Sequence, residues 1–295
     1  MIANFLKYLS FEKRSSEHTT TAYEEDLNQL TLFLKQTFEI SDFSEVKHPH
    51  LRNWIIDLME KGMSPVSINR KIACLKSFFK FLVAREYIEV NPASRLRPLK
   101  TEKRLPNFVK SNEMDELLSL DVFNGDSFPE LRDRLIIELL YGTGMRLSEL
   151  IGLKPENINY FDTSIKVLGK RNKERVIPLP GSVVKLIKKY TEKAMETFGG
   201  KSANGALLKT DKGQPVYPMF IYRTVKKYIG EVSTLTKRSP HVLRHTFATH
   251  LLDKGADLNA VKDLLGHTSL AATQVYTHNS LEKLKAAFDQ AHPRA

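Results

Sequence analysis

The sequence predicts a mainly helical protein of two domains, with a small antiparallel β-sheet inside the second domain. Three observations predict this fold. The chain has 295 residues, which is enough for two separate hydrophobic cores. Apolar side chains recur three and four residues apart along most of the chain, which is the period of helices buried on one face. Residues 157–180 differ, because their apolar side chains alternate as they do in strands.

Residues 1–92 are predicted to form a helical domain. One helix follows the candidate caps Ser16, Thr19 and Thr20, a later one runs from about His50 to Lys61, and the next opens at Ser64-Pro65. Serine is a favourable cap, and proline is tolerated in the first turn. Cys74 is the one cysteine, and its place in an apolar helical pattern predicts a buried small hydrophobic residue.

The helix that opens at Ser64 carries a polar and basic face. We predict three residues of that face as nucleic-acid-binding: Asn69, Arg70 and Lys71. Two interpretations of the face stay open, because such side chains serve equally well as a solvated surface and as a row that follows phosphates.

Residues 93–107 are predicted to be a basic linker. The segment NPASRLRPLKTEKRLP, which starts at Asn91, contains three prolines and no helical period. Its basic side chains suit a chain that lies along a polyanion.

Residues 108–295 are predicted to form the second domain. Helices are expected from Ser111 to Leu120 and from Pro129 to Gly142, and two strands, Ser164–Leu168 and Arg175–Leu179, flank a turn at Gly169–Lys173. Further helices are expected at Val183–Thr197, Met219–Val232, His241–Lys254, Asp257–Leu265, Leu270–Tyr276 and Leu281–Gln290.

Composition narrows the class of protein. The formal net charge is +11 and the isoelectric point is about 9.5, which favours a polyanionic partner. A single cysteine excludes a disulfide scaffold. No run of 18 apolar residues and no export signal is found, so we expect a cytoplasmic protein without a membrane partner.

Six side chains of the second domain suit chemistry on a phosphodiester. They are Arg146, Lys170, His241, Arg244, His267 and Tyr276. His241 and Arg244 are three residues apart and therefore share a helix face. His267 follows a glycine that is expected to end a helix.

Each of these side chain types has a use at a scissile phosphate. Guanidinium groups such as those of Arg146 and Arg244 bind nonbridging oxygens more strongly as negative charge grows in the transition state. A tyrosine hydroxyl needs a base to become a nucleophile, and His241 is the candidate. His267 would hydrogen-bond a nonbridging oxygen, and Lys170 would protonate the leaving oxygen.

Three motifs in the second domain carry a resemblance to a known family. They are GTGMRLSELIGL, LGKRNKERVIPLP and HVLRHTFATHLLDKGADLNAVKDLLGHTSLAATQVYTH. SEHTTTAYEEDL, SPVSINRKIACLKSFFKFL and NPA in the first hundred residues, and the terminal HPRA, extend it over nearly the whole chain. The chain resembles the tyrosine recombinases, and specifically their bacterial chromosomal Xer members.

The resemblance implies a fold and a reaction. A helical core-binding, SAM-like domain and a mainly helical catalytic domain would close on duplex DNA as a C-shaped clamp. The family's catalytic set falls on the six residues named above, with Tyr276 forming a 3′-phosphotyrosyl bond. The phosphotyrosyl bond conserves the energy of the DNA phosphodiester bond that it replaces, so the resemblance implies no cofactor. Two departures, Glu17 in place of a common proline and Arg171 in place of a common glycine, touch no catalytic position.

The resemblance also implies partners. These are a duplex DNA recombination site, a homo- or hetero-tetramer with a paralogous recombinase, and a DNA translocase as activator. In the family the C-terminal helix, here about Leu281–Gln290, docks into a neighbouring protomer, although packing on its own domain fits the same apolar stripe. A metal is not expected, because His241 and His250 lie on different helix faces and no cysteine or acid completes a site.

Other functions remain open at this stage. An integrase of a mobile element would share all six residues, whereas a type IB topoisomerase would relax supercoils as a monomer without site preference. A basic DNA-binding protein that merely keeps the fold would form no covalent adduct through Tyr276.

Overall fold

The computed structural model describes residues 1–101, 107–169, 174–199 and 205–266. The chain divides into two compact units, Met1–Arg104 and Leu105–Ala295, and the division falls inside the predicted linker. Within the described residues, no helix is both long and apolar enough to cross a membrane.

The first unit is a bundle of helices. They are α1 (Ile2–Lys7), which continues into a π-helical turn at Tyr8–Glu12, α2 (Glu17–Phe38), α3 (His48–Glu60) and α4 (Pro65–Ala84). Ser16 and Ser64 are confirmed as caps, since the Ser16 hydroxyl accepts from the Thr19 amide and the Ser64 hydroxyl accepts from the Ser67 amide. Thr19 and Thr20, the other candidate caps, lie inside α2. Cys74 is fully buried, as predicted.

The end of the first unit extends past the predicted boundary at residue 92. Ala93 and Leu96 are buried in its core. The Asn69 amide both donates to the Leu99 carbonyl, at 3.0 Å, and accepts from the Leu99 amide, at 2.7 Å. This part of the predicted linker is therefore packed against the first unit, and the polar groups of Asn69 are occupied within the protein.

The prediction that Lys71 lies on an outer face is wrong. Its side chain is 2% exposed, and its ammonium donates to Asp26 Oδ1 at 2.7 Å and to Gln29 Oε1 at 2.6 Å. Asp26 is fully buried, and Arg70 binds its other oxygen from a partly exposed position. A buried carboxylate requires cations beside it, and this requirement draws Lys71 inward to join α2 and α4.

We expect Lys71→Met to lower the free energy of unfolding by about 3 kcal/mol, because it removes one partner of a buried ion pair. Urea unfolding followed by the fluorescence of Trp54 measures this, since Trp54 is the one tryptophan and its ring lies 5.6 Å from the Lys71 ammonium. The control is Lys61→Met, which removes an equally short pair with Asp57 that is exposed, and is expected to cost about 0.5 kcal/mol or less. Equal losses in the two variants would contradict a buried ionic role for Lys71.

The second unit surrounds a central apolar helix with further helices and one small sheet. The helices are α5 (Ser111–Leu118), α6 (Phe128–Thr143), α7 (Leu147–Ile151), α8 (Gly181–Phe198), α9 (Pro218–Val232), α10 (Pro240–Asp253) and α11 (Leu258–Leu265). Most side chains of α6 are buried. The short helix α7 was not predicted from the sequence.

The small sheet has three antiparallel strands in chain order: β1 (Ile158–Asn159), β2 (Ser164–Leu168) and β3 (Glu174–Pro178). Val167 of β2 pairs with Arg175 of β3, and Ile165 pairs with Ile177. These four side chains are buried on one face. An arginine therefore points into the unit from a position that alternation assigns to the apolar side.

Candidate active site

Arg146 is positioned by the sharp end of α6. Gly144 ends that helix in the left-handed conformation, with φ of +60°, and a β-carbon there would lie 2.4 Å from a ring carbon of Phe247. Glycine is thus required both for the backbone and for the close packing of α10. Arg146 then caps α7, and its backbone amide donates to Glu149 Oε2 at 2.6 Å.

Glu149 is the counter-ion of the site. Its carboxylate is 1% exposed and accepts from Arg146 Nη1 at 2.9 Å, and from Arg175 Nη1 and Nη2 at 2.6 and 2.8 Å. Burial works to raise the pKa of Glu149, but the hydrogen bonds from Arg175 and Arg146 outweigh it and hold that pKa below its ordinary value. The carboxylate is therefore ionised at neutral pH.

Arg244 enters the same cluster from α10. Its side chain is buried, and Nη1 donates to the Gly144 carbonyl at 2.5 Å while Nη2 donates to the Leu265 carbonyl at 2.6 Å. Burial, followed by repulsion from Arg146 and Arg175, lowers the pKa of Arg244 to about 10. It stays a cation at neutral pH, and three of the five N–H groups of its guanidinium are not used in these bonds.

Three arginines meet at the C-terminal end of α11. Arg175 Nε donates to the carbonyl of Leu264, Arg244 donates to that of Leu265, and Arg146 Nη2 donates to that of Gly266 at 2.9 Å. The last carbonyls of a helix lack partners within the helix and carry partial negative charge. The end of α11 thus neutralises part of the arginine cluster and is held by it.

His241 lies in the first turn of α10, on the same face as Arg244, and is exposed. Its ring centroid is 5.3 Å from that of His245. Desolvation of the ring lowers the pKa of His241, and the nearby charges of His245 and Arg244 lower it further. The imidazole is therefore neutral at neutral pH and can accept a proton.

The structure thus brings together three of the six predicted catalytic residues: Arg146, His241 and Arg244. Gly266 ends α11 with φ of +63°, which confirms the predicted helix end directly before His267. The other three, Lys170, His267 and Tyr276, lie outside the described residues.

Two parts of the chain match known sequence families. Residues 107–283 match the Phage integrase family, and residues 2–86 match the Phage integrase, N-terminal SAM-like domain. This chain belongs to the phage integrase family. The recombinase is similar to the Tyrosine recombinase XerC of Listeria innocua serovar 6a, with 39% identity over 99% of this chain and 97% of the relative. It is also similar to the Tyrosine recombinase XerC of Staphylococcus saprophyticus, with 38% identity over 99% and 96%.

The fold of the recombinase also matches solved structures. One is XerH site-specific recombinase bound to a palindromic difH substrate, which aligns with a TM-score of 0.72 and 21% identity over 97% of this chain and 84% of that one. Another is the Tn1549 transposon integrase in complex with circular intermediate DNA, with a TM-score of 0.67 and 22% identity over 96% and 98%. The two-domain, mainly helical architecture is therefore confirmed. The relatives establish the protein as a site-specific tyrosine recombinase, an enzyme of DNA recombination.

Glu149 and Arg175 belong to the described site of the recombinase and were missed in the sequence. Each had a signal there. Glu149 follows Arg146 by three residues at the start of a helix, which is the spacing of a capping carboxylate. Arg175 occupies an apolar position of β3, where a charged residue indicates a buried ion pair.

Across the described ranges, which end at residue 266, no three histidine, cysteine, aspartate or glutamate side chains are grouped to hold an ion. His250 instead lies buried beneath α6, where its Nδ1 is 3.0 Å from the Tyr141 hydroxyl.

The tight turn at Gly144, which directly precedes Met145 and Arg146, can be tested through its effect on stability. We expect Gly144→Ala to lower the free energy of unfolding by about 2–4 kcal/mol, because backbone strain adds to overlap with Phe247. The matched control is Gly255→Ala, which has φ of +87° but nothing within 4 Å of the new β-carbon, so only strain of about 1 kcal/mol is expected. Urea unfolding followed by circular dichroism makes the comparison. Equal effects would show that the packing against Phe247 contributes nothing.

Proposed function

We propose that the recombinase exchanges DNA strands at a chromosomal site through a 3′-phosphotyrosyl intermediate on Tyr276, and so resolves chromosome dimers at cell division. The observation that carries the proposal is the pair of guanidinium groups, Arg146 and Arg244, held at the end of α11. The residue after that end is His267. An anion-binding site therefore stands next to the segment that carries the nucleophile.

The two arginines act as a clamp on the scissile phosphate. About a third of the Arg146 side chain is exposed, and only two N–H groups of the Arg244 guanidinium bind carbonyls of the described residues. Each charge-assisted hydrogen bond to a nonbridging oxygen contributes about 1.5–3 kcal/mol, and more as charge grows in the pentacoordinate transition state. Because both guanidiniums are held by carbonyls, little reorganisation is needed during the reaction.

Proton transfer divides between two groups in this proposal. His241 removes the proton of the Tyr276 hydroxyl, and its lowered pKa keeps it in the neutral form that can do so. Lys170 gives a proton to the 5′ oxygen as the phosphorus–oxygen bond breaks. His267 hydrogen-bonds a nonbridging oxygen.

The partners in this proposal are a duplex DNA site, other protomers and an activator. Arg70 is our remaining candidate for a phosphate contact in the first unit, because its side chain is 42% exposed although one nitrogen binds Asp26. A tetramer, with the same chain or a paralogue, would be joined through the helix predicted at 281–290. A DNA translocase would switch it on, and a chromosomal substrate places the protein in the cytoplasm.

The relatives favour a chromosomal role over a mobile-element role. The two XerC proteins named above share 38–39% identity with the chain over nearly its whole length, and chromosome dimer resolution fits that name. Footprinting on the organism's own chromosome distinguishes the two, since a chromosomal enzyme protects a site there and the integrase of an element protects that element's ends.

The covalent step is tested with a nicked duplex that carries the footprinted site. Wild-type protein is expected to become joined to a DNA 3′ end. The short fragment between the cleavage point and the nick bears the 5′ hydroxyl and dissociates, so the phosphotyrosine cannot be religated. Tyr276→Phe is expected to bind the duplex equally well and to form no adduct. Denaturing electrophoresis of labelled DNA measures both, and the absence of an adduct with wild-type protein would overturn the proposed function.

The role of His241 predicts a pH dependence. Protonated His241 cannot accept the tyrosine proton, so the cleavage rate falls as the pH drops through a pKa that lies below the ordinary value of histidine. His245→Gln removes one nearby positive charge and is expected to move this acid limb to higher pH. Single-turnover cleavage across a pH series measures the shift. An unchanged limb in His245→Gln would argue against His241 as the base.

A further inference from the structure

Arg175 stands at the base of the β2–β3 hairpin and uses its guanidinium in three directions. Nη1 and Nη2 form a fork on the two oxygens of Glu149, and Nε donates to the Leu264 carbonyl at 3.0 Å. Its side chain is 5% exposed. One buried side chain thus joins β3, α7 and α11.

Among the described residues at the turn end of the hairpin, few side chains other than that of Arg175 face the core. Leu168, the last residue of β2, is 55% exposed, and the ion pair of Lys166 with Glu174 lies on the outer face. Val167 is buried and pairs directly with Arg175. Within the described residues, Val167 and Arg175 therefore hold this end of the hairpin against the unit, and Val167 precedes Lys170 by three residues in the chain.

We propose that Arg175 is a positioning residue for the general acid of the reaction. By binding Glu149 and the end of α11, Arg175 fixes the two described strand ends between which the chain carries Lys170. The inference rests on the proposed function, in which Lys170 protonates the leaving oxygen. Arg175 itself touches neither the DNA nor the reacting atoms in this assignment.

The bonds and the proton of the cleavage step determine which substrate is sensitive to the position of Lys170. The Tyr276 oxygen forms a bond to phosphorus, the bond from phosphorus to the 5′ oxygen breaks with its electron pair, and that oxygen takes a proton from Lys170. If the bridging oxygen is replaced by sulfur, the leaving thiolate is stable without a proton. Misplacing Lys170 therefore slows cleavage of the oxygen substrate and spares the sulfur substrate.

Arginine suits this role and lysine does not. The planar fork satisfies both oxygens of Glu149 while Nε reaches a carbonyl, whereas an ammonium is a single point donor on a flexible stem. Arg175→Lys keeps the positive charge beside Glu149 and loses the fork. It therefore separates positioning from charge.

The experiment compares single-turnover cleavage of nicked duplexes with oxygen or sulfur at the 5′ bridging position. Arg175→Ala is expected to slow the oxygen substrate ~100-fold, the lower end for loss of general acid catalysis, and the sulfur substrate less than about tenfold. Arg175→Lys is expected to show the same selectivity with a smaller loss. In a Lys170→Ala background, Arg175→Ala is expected to add little, since the group through which it acts is gone.

The matched control is Arg132→Ala. Arg132 is an equally buried arginine of the same unit, 4% exposed, and its partners are Asp133 and Asp211. Its loss is expected to lower stability and leave the ratio of oxygen to sulfur rates unchanged. Circular dichroism identifies any variant that fails to fold, and Arg175→Lys then carries the test.

Two results overturn the positioning role. One is that the Arg175 variants slow cleavage of both substrates equally. The other is that Arg175→Ala slows cleavage by the same factor in the Lys170→Ala background as in the wild-type background. Failure of the proposed function looks different, because wild-type protein would then form no adduct with either substrate.

Discussion

The described part of the catalytic unit depends on one buried carboxylate, Glu149. Three guanidinium groups converge there, and like charges in a region of low dielectric repel each other strongly. Burial, and after it repulsion from Arg146 and Arg175, lowers the pKa of Arg244, while the charge of Glu149 acts in the opposite direction. Glu149 binds Arg146 and Arg175 directly, and it thereby makes a dense positive site compatible with a stable fold.

The end of α11 supplies the rest of the compensation. Its last carbonyls would otherwise be unsatisfied inside the protein, and an arginine without an acceptor would be equally costly. Pairing the two solves both problems with one set of hydrogen bonds. The same bonds fix the position of Gly266, which directly precedes the predicted site residue His267 in the chain.

The first unit also pairs a buried carboxylate with two cations. Fully buried Asp26 holds Lys71 and Arg70 against α2, and this joins two helices rather than building a site. The comparison explains why basic residues at helical spacing are ambiguous. A cation that is buried with a carboxylate, as Lys71 is, is not available to DNA, and that carboxylate lies 45 residues away in the chain from Lys71.

The sequence by itself determined the local elements and the chemical class. Helix starts at Ser16 and Ser64, the strands around residues 164–179 and the helix end at Gly266 follow from capping, alternation and glycine, which act between neighbours in the chain. The catalytic motifs are equally local strings. Only the tertiary structure decided that Lys71 is buried, that Asn69 holds Leu99, and that Arg175 and Glu149 belong to the site. The reason is that each of these depends on a partner brought close by folding, and the energy of a buried charge is set by such partners rather than by its neighbours in sequence.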